Sequence, residues 1–201
     1  MVRLVAALAF VALAWEDRAS AQTPYGLKLE LDVPVIAIAA GLSLLALVEV
    51  APPECFPRCA ASAINPLDRS VLGHYSESAH TAADIMIAGL LSLPLLLDGI
   101  DSGGDGWLED TVVFGEALLI AQALTQLTKF AVRRTAPFVY DPDAPADAVR
   151  GKDAARSFIS GHTTMAFAAT TAYTVTFWKR HPDDPGRWAV LGAGAALSVA
   201  V

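Results

Sequence analysis

The sequence predicts an all-α protein, a polytopic bundle of transmembrane helices, and three observations predict it. The chain of 201 residues is 54% hydrophobic and 17% charged, with a mean hydropathy of +0.46, where an ordinary soluble domain carries about 25% charged residues. Four apolar runs approach the ~20 residues that cross a hydrocarbon core. Polar connectors rich in Pro, Gly and Asp separate these runs. Backbone groups in lipid find no water to bond, so such runs close their hydrogen bonds internally, as helices. The competing fold is a soluble all-α protein with buried helices, which the scarcity of charges inside the runs disfavours. At this length the chain is one domain or most of one. A net charge of −7 and a pI of about 4.9, with no basic and aromatic stripe, exclude nucleic acid as a partner.

The elements follow in order. Residues 1–21 read as an export signal. Met1-Val2-Arg3 is the positive region, Leu4–Trp15 the apolar one, and Ala19-Ser20-Ala21 a small-residue cleavage pattern before Gln22. The apolar part is short for a span, and the alternative is a short uncleaved anchor. Residues 22–64 hold the first apolar helix, Val33–Val50, and a loop with the two cysteines, Cys55 and Cys59. An even cysteine count after an export signal favours a disulfide closing a small loop. Two free thiols are the alternative, and a metal site lacks partner ligands at zinc spacing.

Residues 65–201 hold the runs Ala82–Ile100, Thr111–Phe130 and Thr163–Trp178, and a fifth that starts near Trp188. The Asp98–Asp110 turn superficially resembles a calcium loop. The carboxylate such a loop needs at its twelfth position is Val112, counted from Asp101, so calcium is rejected. Lys179, Arg180 and Arg187 assign the 179–187 turn to the cytoplasm. The 135–160 loop and the cysteine loop then face the exterior, and the Val33 helix starts inside. A cleaved signal would leave that start outside, so the sequence alone leaves the parity open.

The candidate chemistry lies in two segments that flank the 135–160 loop: Lys129 to Pro137 at the end of one run, and Ser157 to Thr164 at the start of the next. Lys129 and Arg133 are one helical turn apart, on one face, and a helix C-terminus favours cations. Taken alone, they also fit interfacial anchors. Ser160-Gly161-His162 opens an apolar helix whose first N–H groups can hold an anion. Gly161 permits close backbone approach. Ser160 can cap the helix or donate to a phosphate oxygen, and His162 can offer a proton near neutral pH. A plain N-cap and a lone interfacial histidine are the alternatives. The cations and the helix start together point to a phosphate group.

These segments resemble signatures of the type 2 phosphatidic acid phosphatase (PAP2) family, whose helical core is shared with vanadium haloperoxidases. The signatures are K-x6-R-P, P-S-G-H and S-R-x5-H-x3-D. Lys129 to Pro137 resembles the first and Ile159-Ser160-Gly161-His162 the second. The resemblance covers roughly residues 65–201 and implies a membrane lipid phosphatase that needs no metal or other cofactor. It implies that Lys129, Ser160 and Gly161 bind the phosphate and that His162 protonates the leaving oxygen. The third-signature histidine would attack phosphorus and form a phosphohistidine. The implied substrate is a phosphate monoester or pyrophosphate on a lipid, met in the bilayer at the outer face of a bacterial-type inner membrane.

Three departures qualify the resemblance. Ala136 stands where the family has arginine, and Arg133 or Arg134 is expected to substitute. Ile159 stands where it has proline, which reads as a mild change. Nothing in the chain matches the third signature, so the domain is expected to be C-terminally incomplete, with its nucleophile beyond Val201 and this chain alone inactive. The alternative is a non-catalytic relative that binds phospholipid. His74 and His80 precede the second run, and nothing in their spacing sets them behind a phosphate.

Overall fold

The computed structural model describes residues 24–49, 55, 59–66, 68–72 and 75–201. The expected signal, residues 1–21, and His74 lie outside the described residues. The described residues form helices joined by turns, with no strand among them. We number the α-helices α1 (Leu29–Ser43), α2 (Glu77–Asp101), α3 (Trp107–Val132), α4 (Ala146–Arg150), α5 (Gly161–Arg180) and α6 (Arg187–Ala200). Short 3-10 turns extend α1 through Leu44–Leu47 and fill the loops. The helices begin before the apolar runs do because polar residues build their first turns. Ser76, for example, caps α2 by accepting from the Ala79 N–H at 3.3 Å.

Among the described residues, three segments are long and apolar enough to cross a membrane: Leu29–Leu47, Glu77–Asp101 and Trp107–Tyr140. Their large side chains, such as Ile38, Ile85 and Leu96, stay exposed in the folded chain, as a surface in contact with lipid requires. The expected fourth run, Thr163–Trp178, is a helix but does not join this set. The reason is its place in the bundle. α5 packs against α2, α3 and α6, and its buried residues are Ala166, Ala169, Thr170, Thr174 and Thr176. Small side chains let neighbouring helices come close. Each buried threonine hydroxyl donates to a carbonyl one turn back: Thr170 to Ala166 at 3.0 Å, Thr174 to Thr170 at 2.7 Å, Thr176 to Ala172 at 3.1 Å. A helix enclosed by other helices can therefore be polar without exposing unpaired groups. Gly194 of α6 lies so close that an added Cβ would sit 3.1 Å from the Thr170 side chain, and the Thr170 and Ser198 hydroxyls bond at 2.8 Å.

The two ends of the bundle differ. At one end the α2–α3 and α5–α6 turns are joined by charge. Arg180 Nε donates to Asp110 Oδ2 at 2.8 Å and lies 3.6 Å from Asp98 Oδ1. One Nη donates to the Asp105 carbonyl at 3.0 Å, and His181 Nε2 is 2.7 Å from Asp101 Oδ2. The start of α1 lies here too, since the Tyr25 and Thr176 hydroxyls bond at 3.0 Å. At the other end, the loop between α3 and α5 folds over a small apolar core of Ala136, Val139, Ala144, Val149 and Ala154 with Cys59. Cys59 donates its N–H to the Val139 carbonyl at 3.2 Å and is joined to Cys55 by a disulfide.

Candidate active site

The site forms where the two limbs of that loop run side by side. The Ala136 N–H donates to the Ala154 carbonyl at 2.8 Å and the Ser157 N–H to the Arg134 carbonyl at 2.9 Å. This pairing draws the last turn of α3, with Lys129, against the first turn of α5. Ser160 is the N-cap of α5, its hydroxyl accepting from the Thr163 N–H at 3.3 Å. The cap satisfies one of the orphan donors of the first turn and leaves others for a ligand. Gly161 keeps the approach open: a Cβ there would lie 3.8 Å from Lys129 Nζ.

Lys129, Ser160, Gly161 and His162 line a single cavity of about 920 Å³, together with His80 and Arg156. The four motif residues carried over from the family signatures are thus brought together. Arg133 and Arg134 do not line it, which corrects the expectation that either stands in for the missing arginine. α3 ends at Val132 because Arg133 takes a left-handed conformation (φ 49°). That break carries Arg133 off the Lys129 face. Its Nε donates back to the Phe130 carbonyl at 3.1 Å and its guanidinium lies 5.0 Å from the Phe130 ring centroid. Arg134 instead braces the loop, donating to the Ser157 carbonyl at 3.1 Å and pairing with Asp68. That pairing is the first cause holding the Asp68 carboxyl below its ordinary range, with Asn65 adding to it against partial desolvation.

Ile159 also differs from expectation. Its φ is 47°, a conformation proline cannot adopt because its ring fixes φ near −65°. The substitution marks a different backbone path into α5 rather than a mild loss of stiffness.

Sequence reasoning set His80 aside and missed Asp84 and Arg156. His80 and Asp84 sit one turn apart near the start of α2 and face His162. His162 Nε2 lies 2.7 Å from Asp84 Oδ1, and the His80 and His162 rings meet edge to face at 5.8 Å. The available signal was the i, i+4 pairing on α2, which has the His-x3-Asp spacing of the third signature but not its Ser-Arg. Here the carboxylate engages His162, where it fixes the ring. Ligand atoms of His80, Asp84 and His162 all lie within 4.8 Å of one another, a donor set that a divalent transition ion accepts. The other missed residue, Arg156, stood in a polar loop that gives no sign of its burial.

A capped helix start, a lysine and a carboxylate-held histidine thus line one cavity at the end of an apolar bundle. In the comparison with protein families, residues 110–201 match the PAP2 superfamily. The segment carrying both motifs, from within α3 to the end of α6, is therefore a PAP2-superfamily segment. No curated protein and no solved structure matches the chain.

Proposed function

We propose that the chain forms the phosphate-binding portion of a membrane phosphatase whose substrate is a phosphate monoester or pyrophosphate on a lipid. The observation that carries this reading is the position of Lys129 against Gly161 at the open start of α5, with His162 one residue further in the same cavity. Fixed cations and aligned backbone N–H groups stabilise charge on a transferring phosphoryl group. The apolar helices beside the cavity suit a substrate whose tail stays in the bilayer. His162 would donate a proton to the leaving oxygen, with Asp84 holding its ring. A second histidine nitrogen would attack phosphorus as the phosphorus–oxygen bond breaks, and water would then hydrolyse the phosphohistidine. By family resemblance that nucleophile belongs to the third signature, which these 201 residues do not contain.

A second reading, a non-catalytic phospholipid-binding relative, is favoured by Ala136, which removes one family cation. The test uses the full chain in bilayer nanodiscs. Inorganic phosphate and orthovanadate are titrated by calorimetry, and phosphate release is followed over a panel of lipid phosphates. The expected result is saturable binding that weakens about tenfold or more in Lys129→Met, without turnover. Absence of binding would sink the phosphate reading. Robust release that disappears in His162→Ala would instead show that the chain carries its own nucleophile.

A further inference from the structure

We infer that Arg156 supplies the phosphate-binding guanidinium that the first motif lacks at position 136. The inference rests on the phosphate reading of the cavity and deepens it. Ala136 lines the cavity and is itself only 2% exposed. Its N–H bonds the carbonyl of Ala154, two residues before Arg156. The pairing of the two loop limbs thus puts Arg156 beside the place where the motif's arginine would stand, in the lining of the same cavity as Lys129.

The state of the side chain suits an anionic ligand. Arg156 is 4% exposed. One Nη donates to the carbonyls of Leu45 and Ala46 at 3.3 and 3.0 Å, which anchors the guanidinium to the end of α1. The other two donors, Nε and the second Nη, are buried and have no hydrogen-bond partner among the described residues. A buried charge is ordinarily paired, and neutral carbonyls on one nitrogen do not neutralise it. The remaining face is the Nε/Nη edge of the guanidinium, which fits two oxygens of a phosphate at once. Both donors are shielded by the fold, so an anion must press into the wall to reach them. The anchored Nη then acts as the pivot. Arg133 and Arg134, the nearer cations in sequence, are engaged elsewhere. The phosphoryl group would then be held by the Lys129 ammonium, the Arg156 guanidinium edge and the start of α5.

The test is calorimetric titration of the full chain in nanodiscs with inorganic phosphate, comparing wild type with Lys129→Met, Arg156→Gln and Arg156→Lys. Glutamine keeps one donor for the Leu45 and Ala46 carbonyls and removes the charge. Lysine keeps the charge and removes the two-pronged edge, and it serves if the glutamine variant fails to fold by thermal melt. The inference expects about tenfold weaker binding in Arg156→Gln and about threefold or more in Arg156→Lys. A folded Arg156→Lys that binds within error of wild type, while Lys129→Met is weakened, overturns the role of Arg156 and leaves the phosphate site standing. No phosphate binding by the wild type overturns both.

Discussion

Ile159 holds a backbone conformation that its own side chain opposes. A β-branched residue at φ 47° carries strain of about 1–3 kcal/mol. It sits immediately before the N-cap that aims the first turn of α5 into the cavity. Ile159→Gly is expected to raise thermal stability by about 1 kcal/mol, since glycine adopts this region freely. Ile159→Pro, which restores the family residue, is expected to lower stability because its ring forces φ near −65°. A proline variant as stable as wild type in a thermal melt would contradict this path into α5. Lys129, Ser160, Gly161 and His162 were legible in the sequence because each owes its place to short-range spacing at a helix end. The directions of Arg133 and Ile159 were not legible, because each depends on one backbone angle set by how the two loop limbs pair.

Two tethers fix the helices at opposite ends of the bundle. At the cavity end, Arg134 ties the loop to Asp68. The pairing depresses the Asp68 carboxyl, so its contribution is full above about pH 4, the range of the unfolded carboxyl. That contribution is lost as the pH falls through the lower folded value. Hydrogen exchange at Ser157, whose N–H is held by the Arg134 carbonyl, is expected to accelerate only below about pH 4 in wild type beyond its intrinsic pH dependence. In Asp68→Asn the amide should be loosened already at neutral pH. Equal protection in the two proteins at pH 7 would remove the tether. At the other end, Arg180 serves two carboxylates, Asp98 and Asp110, that are 6% and 2% exposed. Arg180→Met would leave both without their cation, and a loss of about 3–5 kcal/mol is expected in denaturant unfolding. A loss under 1 kcal/mol would mean that water reaches this end of the bundle, as at exposed pairs of about 0–1 kcal/mol. The sequence showed Arg180 only as one cation in a basic turn, since its partners arrive from the distant α2–α3 turn.

The long helices among the described residues alternate direction, and this bears on the parity that the sequence left open. α2 and α5 start at the cavity end, while α3 and α6 start at the Arg180 end. α1 also starts at the Arg180 end, through the Tyr25–Thr176 bond, and its last turn reaches the cavity end, where Arg156 holds the Leu45 and Ala46 carbonyls. Residues near Tyr25 and the 179–187 turn therefore share one face, whichever side of the membrane that is. The all-helical architecture was legible from composition and run length. This pairing of the α1 start with the α5 end was not, because it rests on contacts more than 100 residues apart in the chain. If Lys179, Arg180 and Arg187 mark the cytoplasm, Gly26 is cytoplasmic as well. Cleavage of an export signal after Ala21 would put Gly26 on the opposite face, so the two expectations exclude each other. Single cysteines at the exposed positions Gly26, Asp143 and Asp183, in a chain with Cys55 and Cys59 replaced, separate them by labelling intact cells with an impermeant maleimide. Asp143→Cys is expected to label from outside, and Gly26→Cys and Asp183→Cys only after permeabilisation. Labelling of Gly26→Cys from outside, with Asp183→Cys protected, would break the shared face and return α1 to the arrangement that a cleaved signal demands.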